Sequence, residues 1–179
     1  FDGCLMIMAI LPIRVIEGEL AGPQGGCAQT TIGVGGLSGT IEGGNVAIQS
    51  VNGSITNETL ATTTGNMKYA ANTVVGNTAG IHATGDLSMD AKDDIVNKGA
   101  QISAGGNASL QATNITFDTI EDKKASSTNS YSSNGLTSTT STSTTTSTQQ
   151  IKSGLTVGGN LNAKASNDIT LAGTDVNVA

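Results

Sequence analysis

Aspartates are the side chains of this sequence that are best placed to do acid–base chemistry. Three of them fall close together, a fourth lies just before them and a fifth holds an equivalent place in a later repeat: Asp86, Asp90, Asp93, Asp94 and Asp168. Converging carboxylates, usually with a basic group, can cleave glycosidic bonds. The single arginine, Arg14, lies outside the repeated part of the chain. Polysaccharide cleavage is therefore the enzymatic activity to weigh first.

A turn-stabilising role explains two of these aspartates more simply. Asp94 and Asp168 hold the same position in two copies of a sequence repeat, and another copy has Asn114 there. Asp and Asn both stabilise turns by bonding to nearby backbone groups. A fold that some enzymes share is by itself a weak basis for assigning an activity. We therefore predict that the protein is not an enzyme and has no catalytic residue.

Metal and cofactor sites are not indicated either. His82 is the only histidine, and it alternates with Ile81 and Ala83, so we expect its side chain to point to solvent. A lone imidazole without neighbouring ligands cannot form a zinc site. Cys4 and Cys27 could form a disulfide in an exported protein or stay unpaired, and their spacing does not decide which. We predict no metal and no cofactor.

The composition differs from that of an ordinary globular domain. Only 12% of the residues are charged and 2% are aromatic, and there is no Trp, so a compact core built on aromatic side chains is not expected. The formal net charge is −6, whereas a nucleic-acid-binding surface needs a basic face. Nucleic acid is therefore excluded as an expected partner.

A dipeptide of Gly followed by Asn or Asp recurs along the chain. Its copies are Gly44-Asn45, Gly65-Asn66, Gly85-Asp86, Gly106-Asn107 and Gly159-Asn160. The first four are spaced by 21, 20 and 21 residues, and the last follows after 53. A fixed period in this range is the signature of a solenoid. Each copy precedes a short run in which apolar residues alternate with polar ones, as in a strand with one buried face.

Three apolar columns keep step with this dipeptide. The first comprises the pairs Val46 and Ile48, Met67 and Tyr69, Leu87 and Met89, Ala108 and Leu110, and Leu161 and Ala163; the second Ile55, Val75, Ile95, Ile115 and Ile169; the third Leu60, Ile81, Ile102 and Leu155. Between the second and third columns, Asn57, Asn77 and Asn97 suggest a recurrent turn. Three strands and three bends in about 21 residues predict one rung of a parallel β-helix, an all-β solenoid.

The pattern divides the chain into four segments. Residues 1–42 match it poorly, residues 43–120 and 153–179 carry the repeats, and residues 121–152 form an insertion rich in Ser and Thr. The insertion falls between the second and third columns of one rung. Its low hydrophobicity favours a disordered loop. The turn signal Asn134-Gly135 and the β-branched run after it favour a protruding hairpin instead.

Two stretches resemble a known family. The segment from Ile95 through Asn97-Lys98-Gly99 to Asn107, and the segment from Gly158 to Ala179, are similar to repeats of filamentous haemagglutinin and of contact-dependent growth inhibition exoproteins. The resemblance implies a right-handed parallel β-helix that is exported by two-partner secretion through an outer-membrane transporter. It further implies a location in the secreted fraction or at the bacterial outer-membrane surface.

The same resemblance implies a structural and adhesive function. Such a segment is a stalk or filament that contacts a receptor or glycan on a host or neighbouring cell, or that carries a toxin domain towards a neighbouring cell. Ser-rich insertions occur in the distal repeats of the growth-inhibition exoproteins, which favours that branch. The alternative is a β-helix that binds or cleaves glycans, as tail-fibre proteins and polysaccharide lyases do.

Overall fold

Strands account for the regular structure of this protein wherever it is described. The computed structural model describes the backbone of residues 4–9, 13–14, 19–21 and 28–30, and the backbone and side chains of residues 38–179. Cys27, and with it the question of a Cys4–Cys27 disulfide, lies outside the described residues, as does most of the segment 1–42. None of the described residues forms a helix with the length and hydropathy that a membrane span requires.

The strands follow one another with short connections. In chain order they are β1 (Cys4–Ala9), β2 (Ile13–Arg14), β3 (Glu19–Ala21), β4 (Ala28–Thr30), β5 (Thr40–Gly43), β6 (Asn45–Ser50), β7 (Ile55–Glu58), β8 (Ala61–Asn66), β9 (Ala70–Val75), β10 (Gly80–Ala83), β11 (Leu87–Ala91), β12 (Asp94–Lys98), β13 (Gln101–Ala104), β14 (Ala108–Ala112), β15 (Asn114–Asp118), β16 (Ile120–Ser133), β17 (Ser138–Ile151), β18 (Ser153–Val157), β19 (Leu161–Ala165), β20 (Ile169–Leu171) and β21 (Thr174–Val178).

Most of these strands form three parallel sheets. The first has the order β4-β1-β6-β11-β14-β19, the second β2-β7-β12-β15-β20, and the third β3-β5-β10-β13-β18-β21. From β6 onwards the chain visits the first, second and third sheet in turn and then begins the next rung. Each strand therefore pairs in parallel with the equivalent strand of the neighbouring rung. This is the predicted parallel β-helix.

Side chains alternate between the inside and the outside of each strand. In β11, Leu87, Met89 and Ala91 are buried, whereas Ser88 and Asp90 point outwards. The pairing register between equivalent strands of neighbouring rungs stacks similar residues on top of one another. This register is strongly specified, because a one-residue slip would turn every apolar side chain of a strand outwards. The stacked columns are Val46, Leu87 and Ala108; Ile48, Met89 and Leu110; Ile55, Ile95 and Ile115; and Ile41, Ile81, Ile102 and Leu155. Each fully buried aliphatic side chain contributes roughly 1.5–3 kcal/mol.

The prediction that Gly65-Asn66 opens a rung is wrong. Strand β6 pairs directly with β11, so Val46 lies opposite Leu87. Residues 61–75 instead form an antiparallel hairpin of β8 and β9, in which Gly65 has a φ of +88°. The expected inward residue Tyr69 is 59% exposed there. Leu60 and Val75 likewise have no place in the stacked columns, and the third column begins with Ile41.

The predicted asparagine turn is also placed differently. Asn57 and Asn97 lie inside β7 and β12, opposite each other, and both are buried. Asn77 is exposed and lies outside any strand. The turn itself depends on Gly99, which has a φ of +55°, a backbone conformation that costs glycine little because it has no Cβ.

The remaining strands form a separate compact unit. Residues 61–75 and 121–151 make up this hairpin unit, and the described residues of the range 1–60 make up the β-helix unit together with residues 76–120 and 152–179. The hairpin unit is a four-stranded sheet with the order β17-β16-β9-β8. Of the two alternatives for the Ser/Thr-rich insertion, the structure therefore contains the hairpin. Strand β9 joins the two hairpins, since Ala71 lies opposite Ala125 in an antiparallel pair.

Candidate functional site

The five aspartates are distributed along the outside of the β-helix unit. Asp86 precedes β11, Asp90 lies near its end, Asp94 begins β12 in a different sheet, and Asp93 lies in the connection between them. Asp168 precedes β20, two rungs beyond Asp94. Among the described residues, no group of three or more His, Cys, Asp or Glu side chains is arranged to hold a metal ion.

Asp94 and Asp168 are among the carboxylates that bond to amide side chains. The Asp94 Oδ1 atom accepts a hydrogen bond from Asn114 Nδ2 at 2.7 Å, and its backbone N–H donates to Ser54 Oγ at 3.2 Å. Asp168 Oδ2 accepts from the neighbouring Asn167 Nδ2 at 3.0 Å. The bonds of Asp94 join neighbouring rungs at a bend, which is a structural arrangement.

Asp86 belongs to a ladder formed by the recurrent dipeptide. The Asn45 Oδ1 atom accepts from the backbone N–H of Asp86 at 2.7 Å, and Asp86 Oδ1 accepts from the N–H of Asn107 at 2.7 Å. Asn107 Oδ1 then accepts from the N–H of Asn160 at 3.0 Å. Each side-chain oxygen therefore satisfies the backbone donor of the next rung. We call this series, Asn45, Asp86, Asn107 and Asn160, the amide ladder.

The glycines of three dipeptides, Gly85, Gly106 and Gly159, make room for the ladder. A Cβ atom at Gly85 would lie 2.2 Å from Asn45 Oδ1, and one at Gly106 would lie 2.4 Å from Asp86 Oδ1. A Cβ at Gly159 would lie 2.8 Å from Asn107 Oδ1. Separations under 3 Å require a shift of one of the groups. The pairing of glycine with Asn or Asp is therefore a stereochemical requirement of stacking.

A shallow groove of about 540 Å³ runs beside the amide ladder on the outside of the first sheet. Its floor consists of small outward-facing side chains, Ala47, Ser88 and Ser109, and Asn162 continues it towards the last rung. The ladder residues form the rest of its polar lining. Amide and hydroxyl groups both donate and accept hydrogen bonds, so the groove suits a polyhydroxylated or amide-bearing ligand. Asp86 is the one carboxylate in the lining, whereas glycoside hydrolysis commonly uses two.

His82 lies on the outer side of the third sheet between two buried neighbours. Its side chain is half-buried, and Nδ1 lies 2.8 Å from Ser103 Oγ on the next rung. A Cβ at Gly80 would lie 2.4 Å from Nε2, so the imidazole extends over this glycine. The ring is a bridge between rungs, and among residues 38–179 it belongs to no group of side chains that could hold a metal ion.

A buried pair of amides lies inside the β-helix unit. Asn57 Nδ2 donates to Asn97 Oδ1 at 2.7 Å, and Asn97 Nδ2 donates to the carbonyl of Ala100 at 2.8 Å. Both side chains are at most 1% exposed. The next residue of the column is Phe117, opposite Asn97. Sequence reasoning missed this site because it assigned the asparagines to a turn.

The hairpin unit presents a different surface. Every residue of β17 from Ser138 to Gln150 is exposed, and most of them are Ser or Thr. Side-chain bonds from Thr142 to Asn129 at 2.8 Å and from Thr144 to Ser127 at 3.3 Å connect β17 to β16. The strand therefore displays hydroxyl groups on both faces.

One family model matches part of the chain. A family model of the hemagglutinin repeat matches residues 135–179. The matched part contains β17 and the last strands of the β-helix unit, β18 to β21. It supports a filamentous haemagglutinin-like adhesin segment. No curated protein and no solved structure matches the chain.

Proposed function

We propose that this chain is a non-catalytic adhesive segment of a large secreted haemagglutinin-like exoprotein at the bacterial surface. Its β-helix unit would act as a stalk or filament, and its partners would be an outer-membrane secretion transporter and a receptor or glycan on another cell. The observation that carries the proposal is the hemagglutinin-repeat match at residues 135–179. The stacked rungs supply the mechanical part of the role, because each rung is held by its neighbours through three parallel sheets.

The distribution of polar groups supports binding spread over many residues. The amide ladder repeats the same contact on successive rungs, and the groove beside it offers at least one amide, carboxylate or hydroxyl group on each rung. Repeated weak contacts of this kind give avidity when a ligand also repeats. A glycan or another extended polar chain has the matching chemistry.

Contact-dependent toxin delivery is the finer version of this proposal. Its support is the similarity between the Ser/Thr-rich insertion and the Ser-rich insertions of growth-inhibition exoproteins. In that version the chain holds a toxin domain of the full-length exoprotein at a distance from the producing cell. A competition assay between producer and target cells, with and without this segment in the exoprotein, tests it: equal killing in both would contradict the delivery role.

Adhesion is tested with the purified chain coupled to fluorescent beads. We expect the beads to bind bacterial or host cells, and binding to fall when Ser88→Arg and Ser109→Arg together fill the groove. The matched control is Ser132→Arg with Ser133→Arg, which places the same charges on exposed positions of β16. Equal binding by both variants and the parent chain would contradict a role for the groove.

A glycan-cleaving β-helix remains the alternative function. It would require turnover of bacterial or host polysaccharides that is abolished by Asp93→Asn with Asp94→Asn. We expect no turnover by the parent chain, because the aspartates are on different sheets or engaged with amides. Release of reducing ends or unsaturated sugars, lost in the double variant, would replace the adhesin proposal.

A further inference from the structure

Strand β17 is the longer of the two edge strands of the hairpin unit, the other being β8. It is the last strand in the order β17-β16-β9-β8, so it has a partner on one side only. Its 14 residues extend over about 48 Å at 3.4 Å per residue. An open edge carries unpaired backbone N–H and C=O groups that can pair with another strand.

The register of the hairpin identifies the unpaired groups. The backbone N–H of Asn134 donates to the carbonyl of Thr137 at 3.1 Å, so these residues form a hydrogen-bonded pair at the turn. Hydrogen-bonded and non-hydrogen-bonded pairs alternate along an antiparallel ladder. The odd-numbered residues of β17 therefore bond to β16, and the even-numbered residues direct their backbone groups to the open edge. The even-numbered residues are Ser138, Thr140, Thr142, Thr144, Thr146, Thr148 and Gln150.

This edge lacks the usual protection. Proteins blunt exposed edges with Lys, Pro, bulges or very short strands. Between Ala125 and Ile151 the chain has no charged residue and no Pro. Threonine also has a high preference for strands. The edge is therefore long, uncharged and built from residues that favour pairing.

The sequence of the edge is complementary to itself. If two copies of β17 lie antiparallel about a two-fold axis beside Thr144, then Thr142 of one copy faces Thr146 of the other. In the same register Thr140 faces Thr148. Cross-strand threonine pairs stabilise sheets through packing and hydroxyl bonds. A contact of this kind is isologous, so it closes after two copies.

The distribution of charge also favours β17 as the surface of contact between two copies. The chain as a whole has a formal net charge of −6, so two copies repel each other at most approaches. Along β17 there is no charge to repel. We propose that β17 pairs antiparallel with β17 of a second copy of this chain, which joins two hairpin units into one continuous sheet. This inference does not depend on the adhesive role, because it concerns contacts between copies and is tested on the purified chain.

A charge-swap pair at Thr142 and Thr146 tests the proposed contact. These residues are about 14 Å apart along one strand, but they face each other between copies in the proposed register. We expect the parent chain to form a dimer in sedimentation velocity. The variant Thr142→Lys with Thr146→Lys should weaken the dimer at least tenfold, whereas Thr142→Lys with Thr146→Glu should keep it, since opposite charges then meet. Equal dissociation constants for the two variants would overturn the proposal.

Three further variants distinguish this contact from other associations. Thr144→Pro removes an edge N–H without removing a bond to β16 and should abolish the dimer, whereas Thr144→Val should keep it. Ile169→Lys adds a charge to a 49%-exposed side chain of β20 in the β-helix unit and should leave the dimer unchanged. A chain that stays monomeric at high concentration, or a dimer lost in Ile169→Lys and kept in Thr144→Pro, would contradict pairing through β17.

Discussion

Asp86 Oδ1 accepts two hydrogen bonds from Asn107 on the adjacent rung, one from the backbone N–H at 2.7 Å and one from Nδ2 at 3.2 Å. The two residues are 21 positions apart. Their contact is one step of the amide ladder, and at this step the acceptor is a carboxylate instead of an amide. In the amide ladder the dipeptide therefore connects each rung to the next, at the point where the strands of the first sheet begin.

Two substitutions of Asp86 distinguish the contribution of its acceptor oxygen to stability from that of its negative charge. Asp86→Asn keeps an oxygen for the Asn107 N–H, so its stability should stay close to that of the parent chain. Asp86→Ala removes the acceptor and should destabilise the β-helix unit by about 0.5–1.5 kcal/mol. Urea unfolding followed by circular dichroism measures both. Asp93→Ala, which changes an exposed aspartate in a connection, is the control; a loss there as large as in Asp86→Ala would argue against the ladder.

Gly106→Ala should destabilise the stack because of the position of Asp86. The new Cβ would lie 2.4 Å from Asp86 Oδ1 and 3.2 Å from the carbonyl carbon of Gly85. Overpacking of this kind costs about 1–3 kcal/mol. Adding Asp86→Ala removes the nearer atom, so the double variant should recover part of the loss in thermal or urea unfolding. If the losses of unfolding free energy caused by Gly106→Ala and Asp86→Ala simply add in the double variant, Gly106 is required for a reason other than the Asp86 oxygen.

Glycine is required in this dipeptide for two different physical reasons. The sequence alone therefore does not show which structure a given copy forms. At Gly85 and Gly106 glycine is required because a Cβ would meet the ladder oxygen of the preceding rung. At Gly65 it is required by a φ of +88° near the end of β8, just before the turn to β9. Both situations place Asn or Asp directly after Gly. The β8–β9 excursion also adds about one period, since ladder partners Asn45 and Asp86 are 41 positions apart, so spacing alone does not reveal it.

The inward columns were predictable because their cause is local. In β11 to β15 the period-two alternation of apolar residues follows directly from strand geometry, and the expected residues are buried: Leu87, Met89, Ile95, Ile102, Leu110 and Ile115. The hairpin of β16 and β17 has no such signal, because its residues are polar on both faces. Its connection to the rest of the sheet depends on Ala125 opposite Ala71, and Ala71 lies in the segment that periodicity assigned to a rung.

The buried amides Asn57 and Asn97 should behave as a coupled pair. Asn97→Leu removes the oxygen that accepts from Asn57 Nδ2 at 2.7 Å and leaves a buried donor with only the longer bond to the Gln101 carbonyl at 3.3 Å. An unsatisfied buried group costs about 1–3 kcal/mol. The double variant Asn57→Leu with Asn97→Leu removes both polar groups at nearly constant volume and should recover much of that loss.

A double-mutant cycle measures this coupling. The unfolding free energies of the parent chain, the two single variants and the double variant give an interaction energy that we expect to favour the pair by about 0.5–3 kcal/mol. The matched exposed cycle uses Asn160 and Asn162, whose amides line the groove. An interaction energy near zero between Asn57 and Asn97 would mean that each side chain contributes to stability independently of the other.

Hydrogen exchange in β17 should alternate from one residue to the next. The N–H groups of Thr139, Ser141 and Ser143 bond to β16, whereas those of Thr140 and Thr142 face the open edge. All five residues are exposed, so burial cannot produce the difference, and slower exchange of the odd-numbered amides would reflect hydrogen bonding alone. Amide exchange measured by NMR at low protein concentration resolves the individual residues.

Amide exchange measured at several protein concentrations tests the proposed contact between copies. In a dimer paired through β17 the even-numbered amides gain hydrogen bonds, so their exchange should slow as concentration rises while that of the odd-numbered amides stays nearly constant. Thr144→Pro supplies the control, because it should abolish the concentration dependence at Thr140 and Thr142 and preserve the alternation. Uniformly fast exchange along β17 at every concentration would show that neither the hairpin nor the paired edge persists in solution, since both depend on the same alternating set of backbone bonds.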